Sequence, residues 1–154
     1  MSLVEFKNLP DTTTPINAAN LNNNFNELNS QISAAASAIN NLKGTVLWTN
    51  SSPTSNYGAT AVSINNLSNY DIIKIIFKRS TSSSIQFDVN LYLYEAIATS
   101  VATFLDGTTQ YLRGISANKS TNKVSFERSQ IPNVGFHDDT NIPICIIGYK
   151  NVDS

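Results

Sequence analysis

Between residues 18 and 42, apolar side chains recur at Leu21, Phe25, Leu28, Ile32, Ala35, Ile39 and Leu42, in alternating steps of four and three. With Phe25, Ile32 and Ile39 at a positions, Leu21, Leu28, Ala35 and Leu42 occupy d, the pattern of a helical heptad seam. The e and g flanks hold Asn22, Asn24, Asn29, Gln31, Ala36 and Ala38, so the stripe stays narrow. A helix lying on its own domain usually carries a broader stripe. The narrow seam therefore predicts packing against identical helices. Asparagine, a poor helix former, is frequent here, so seam burial has to hold the helix together. Thr14-Pro15 predicts its start, with a hydroxyl cap and proline at the first helical position. Lys43-Gly44 predicts its end, a cation followed by a left-handed cap. A helix over 15–43 would be about 43 Å long.

After Gly44 the period changes to two. Alternation predicts strands over 46–49, 60–64, 71–79, 85–94, 101–105, 108–115, 123–128 and 144–149. In 71–79, Ile73, Ile75 and Phe77 share one face; Lys74 and Lys78 share the other with Ile72 and Ile76. In 85–94, Phe87, Val89, Leu91 and Leu93 point inward, and Asp88, Asn90, Tyr92 and Tyr94 outward. Asp106-Gly107 predicts a hairpin turn, and 144–149 reads as a central strand buried on both sides. Short strands at this spacing predict a β-sandwich, jelly-roll-like. The expected fold is mainly β with one N-terminal helix: an arm over 1–14, a coiled-coil helix over 15–43 and a β-sandwich head over 44–154. Gly44 joins helix and head without a flexible linker. Leu3, Val4, Phe6 and Leu9 give the arm apolar residues suited to docking on another protein.

Charged residues make up 14% of the chain and the formal net charge is −1. The usual charged share is about 25%, and asparagine, serine and threonine fill the difference. The absence of a Lys/Arg cluster argues against nucleic acid and against an anionic membrane surface. The apolar runs are too short for a membrane span. Met1-Ser2-Leu3-Val4-Glu5 lacks a basic region followed by an apolar run, so the expectation is synthesis in a cytoplasm without a signal peptide. Cys145, the single cysteine, sits among isoleucines and reads as a small buried apolar group.

The segment Asn8-Leu9-Pro10-Asp11-Thr12-Thr13-Thr14-Pro15-Ile16-Asn17-Ala18-Ala19-Asn20-Leu21-Asn22 resembles the N-terminal signature of phage and prophage tail proteins, the minor structural proteins of Gram-positive-type phages. Gly44-Thr45-Val46-Leu47-Trp48-Thr49-Asn50 and the run from Tyr70 to Phe77 resemble the β-rich heads of such fibres. The resemblance implies a homotrimeric tail fibre or receptor-binding protein of the virion. Its arm would face other tail or baseplate proteins, and its head a bacterial cell-surface polysaccharide. The heptads by themselves leave dimer and trimer open, because Ile at a with Leu at d favours two strands while Phe25 and Ala35 blur that preference. The alternatives are a purely structural virion component that binds no host and, less favoured, a host-encoded adhesin.

Catalysis is not expected. His137-Asp138-Asp139 lacks a recognisable metal-ligand spacing, no spacing singles out a pair of carboxylates for glycoside hydrolysis, and no nucleophile elbow occurs. No cofactor or metal is called for. Aromatic rings set among amides and carboxylates suit sugar binding. Tyr92 and Tyr94 with Asp88 and Asn90 come first as ligand-binding candidates, then Tyr57 and Tyr111; the same outward tyrosines would also suit a subunit interface. Trp48 is expected to pack at the neck.

Overall fold

A computed structural model describes residues 18–150. The predicted arm and the Thr14-Pro15 helix start lie outside the described residues. These divide into two compact units, one ending at Asn41 and the other beginning at Leu42.

The helix α1 spans Ala18–Lys43, with Lys43 in its last turn. The side chain of Gln31 donates to Glu27 one turn back, at 3.4 Å. The large seam residues are exposed in the single chain, from 39% at Leu21 to 69% at Leu42. Among the described residues, nothing covers this stripe. Gly44 follows at φ +70°, the left-handed conformation predicted for the cap. A Cβ there would also collide with Tyr149 and Ile147, so both backbone and packing require glycine.

The rest is mainly β. Among the described residues, ten strands form two sheets. The four-stranded sheet has the order β1 (Thr45–Thr49), β10 (Thr140–Tyr149), β3 (Ile72–Ser80), β4 (Gln86–Tyr92). In the six-stranded sheet, β2 (Thr60–Ser63) pairs β7 (Lys123–Phe126), which pairs β6 (Thr109–Asn118). The two-residue strands β8 (Gln130–Ile131) and β9 (Gly135–Phe136) continue from β6, and β5 (Ile97–Asp106) pairs β6 over its whole length. The inner faces supply one core: Ile73, Ile75 and Phe77 from β3, Leu91 from β4, and Ala102, Ile115, Ala117, Val124 and Phe126 from the other sheet. The layering is sandwich-like. Its strand order refines the jelly-roll-like expectation, because β3–β4 is a hairpin within one sheet and β5–β6–β7 a meander within the other.

The alternation in β3 and β4 matches the sequence pattern residue for residue, with Ile73, Ile75 and Phe77 fully buried and Asp88, Asn90 and Tyr92 exposed. β10 is central, as expected, but begins four residues earlier than its apolar run. It contains Pro143, which has no N–H to give a ladder. The register with β3 shifts between Pro143 and Cys145, a bulge that accommodates the proline. Asn50 then caps the irregularity, its side chain donating to the Pro143 carbonyl and its N–H to the Ile144 carbonyl, each at 2.9 Å. Cys145 is half-buried on this strand; burial pushes its thiol above the ordinary value, against a hydrogen bond with Thr49.

Candidate functional site

The six tyrosine-centred candidates do not form one site. Tyr92 and Tyr94 are 53% and 74% exposed, while Leu93 between them is buried and holds the strand end down. Their rings stack at 5.7 Å with planes 22° apart. Together with Asn90, Glu95, Ile97 and Thr99 they line a shallow hollow of about 310 Å³ at the junction of β4 and β5. Asp88 turns instead toward Lys74, at 3.7 Å. Tyr111 lies in a separate hollow of about 340 Å³ with Phe104, Asp106 and Asp139. His137 approaches Tyr111 edge-on at 5.8 Å and stands 3.9 Å from Asp139. No group of three metal-ligating side chains occurs among the described residues.

Tyr57 packs among other aromatic rings. Its ring meets Phe126 edge-on at 5.7 Å and Trp48 at 6.4 Å. Its hydroxyl is buried with no hydrogen-bond partner among the described residues. Burial raises its pKa above the ordinary tyrosine value, with Arg113 pulling the other way. Trp48 packs on the same cluster, 6.3 Å from Phe126, against the core of the β-unit.

Arg113 lies beneath this cluster with no exposed surface. Its guanidinium donates to the backbone carbonyls of Tyr57, Thr140, Gly58 and Glu127. Burial pulls it down to about 10, while Asp138 and Tyr57 counteract that. One cation therefore ties the 50–59 loop, the end of β7 and the start of β10 to β6. Four backbone acceptors thus converge on one buried guanidinium.

A cavity of about 610 Å³ lies on the outward face of the six-stranded sheet. Register builds its floor. Thr99 pairs Ser116 and Ser116 pairs Ser125, giving a row of three hydroxyls across β5, β6 and β7. In the next row, Val101 pairs Gly114, and Glu127 donates its N–H to the Gly114 carbonyl at 2.9 Å. The Glu127 carboxylate lies directly over Gly114, where any Cβ would strike it. With its carbonyl held by Arg113 and its N–H by Gly114, Glu127 is fixed at the backbone on both sides. Arg128 forms the wall: its Nε and Nη2 meet Asp138 Oδ2 at 2.8 and 2.6 Å, and its guanidinium lies over Phe136 at 4.2 Å. The bond to Asp138 raises the Arg128 pKa further. Gln130 completes the lining.

No local sequence pattern singles out this groove: Glu127 is one of several acids and Gly114 lies inside a strand. A glycine inside a strand is the signal that was available, since it often marks a close approach.

No family model matches this chain, and no curated protein or solved structure matches it either.

Proposed function

We propose that this protein is the subunit of a homotrimeric phage tail fibre or receptor-binding protein that attaches the virion to host cell-surface glycan without catalysis. In this reading α1 is the self-association element, the arm over 1–14 engages other tail or baseplate proteins, and the β-unit is the head. The observation that carries it is the exposed heptad seam of α1, whose large apolar residues find no cover among the described residues. A coiled coil buries such a seam against copies of itself. The exposed, stacked Tyr92 and Tyr94 support the glycan part, since paired rings beside an amide and a carboxylate suit the apolar and polar sides of a sugar.

Sedimentation equilibrium tests the first half, and a mass three times that of the chain is expected. Tyr92→Ala is expected to weaken adsorption to host cells at unchanged mass. A monomer would remove the stalk, and loss of the trimer in Tyr92→Ala would move that residue to a subunit contact. A second reading, a purely structural tail component, is favoured by β5. Its outward residues are Ile97, Thr99, Val101, Thr103 and Leu105, all uncharged and exposed, a composition that fits contact with protein.

A further inference from the structure

The groove over Gly114 combines features that the tyrosine hollow lacks. It is about twice as large, 610 against 310 Å³, and within the range of small-molecule sites. Its polar groups are hydroxyls, the Gln130 amide, the Glu127 carboxylate and the Arg128 guanidinium. Among the described residues no cation pairs with Glu127, whereas the Arg128 charge is taken up by Asp138. The hydroxyls of Thr99, Ser116 and Ser125 donate and accept, and so does the Gln130 amide. Phe136 and Val101 supply apolar surface at the rim.

We propose that this groove binds an uncharged saccharide of at least two units. Glu127 would accept from adjacent sugar hydroxyls, and bonds to an ionised acceptor are the strong ones. The hydroxyl row and Gln130 would satisfy the remaining hydroxyls, while Phe136 takes a C–H face of the ring. Gly114 is the device that makes this possible, since any larger residue would displace the carboxylate from the floor. A phosphate or uronate at the same place would face Glu127 without a free counter-charge. Thr99 lines both this groove and the Tyr92–Tyr94 hollow, so a longer glycan can run from one toward the other. The inference rests on the glycan-binding reading above and assigns it a second subsite.

The test is calorimetric titration of the full chain with neutral di- to pentasaccharides of hexose, deoxyhexose and N-acetylhexosamine, and with oligomeric glycerol phosphate. Glu127→Gln and Phe136→Ala are each expected to weaken saccharide binding about tenfold or more with the oligomeric mass unchanged. Gly114→Ala is expected to do the same. If Tyr92→Ala alone abolishes binding while both Glu127→Gln and Phe136→Ala bind as wild type, the groove is overturned and the glycan reading stands. If the wild type binds none of the saccharides, the glycan reading itself falls. Preference for glycerol phosphate overturns the uncharged class. Loss of the oligomer in Glu127→Gln would make this face a contact between copies and overturn the site.

Discussion

Tyr57 shows how a residue's role turns on where its polar end goes. A tyrosine beside a loop of serines reads as a sugar contact, yet its hydroxyl is buried and finds no partner among the described residues. A buried group of that kind destabilises the fold, and removing it is close to neutral or favourable. Tyr57→Phe is therefore expected to leave stability at pH 7 within about 1 kcal/mol of wild type. The sign at alkaline pH follows from the raised pKa. The native state holds this proton more tightly than the unfolded chain, whose tyrosine titrates near 10.0. Its contribution is fully present below that value and is lost as pH rises through the folded one. Thermal melts from pH 7 to 11 should show the phenylalanine variant gaining on wild type above about pH 10. A parallel decline of the two would show that Tyr57 does not titrate with unfolding. The ring's own contacts with Phe126, Trp48 and the Arg113 guanidinium survive the change.

Legibility differs sharply between elements. β3 and β4 were readable because one face meets the core and the other does not, so burial alternates as the sequence does. β5 was read four residues short at its start, because Ile97 and Val101 face outward and its inward positions are small: Ala98, Ser100 and Ala102. β10 was shortened for a different reason, a proline in a central strand that only a bulge accommodates. The candidate site was legible in part. Outward placement of Tyr92 and Tyr94 follows from strand period, but the groove depends on which strands become neighbours. The partners of Ser116 lie 17 residues before it and 9 after it in the chain, and no local pattern reports that. For α1 the pattern and the exposure agree, which sets up a paired test. Ile32→Asn puts an amide at an a position, and each buried isoleucine contributes about 1.5 to 3 kcal/mol. The melting midpoint of the helical signal should fall by about 5–10 °C, with loss of the oligomer on dilution. Ser33→Asn, at a b position, should leave both unchanged. Equal effects from the two variants would mean the seam is not where the helix is buried.

At the scale of the whole molecule, the proposed trimer changes what binding measurements report. In that proposal three heads carried by one stalk would meet a polysaccharide whose units repeat, so the first contact would make the second intramolecular. Linkage of this kind raises avidity by about 10²–10⁴ over a single site when the geometry lets the sites engage together. A weak saccharide site, of the kind an open groove provides, would then be enough for attachment. The expected outcome is that short saccharides bind weakly and identically to wild type and Ile32→Asn, because the head is intact in both. Intact cell-wall polysaccharide should bind wild type at least about a hundredfold more tightly than the short saccharide, and this advantage should vanish in Ile32→Asn. Surface-immobilised polysaccharide with solution competition separates the two quantities. Should the variant retain the full advantage, each head would recognise an extended stretch of polymer by itself. The helix would then serve assembly alone, and specificity would rest on how far a single chain of sugar follows the track from the groove over Gly114 past Thr99 to the two tyrosines.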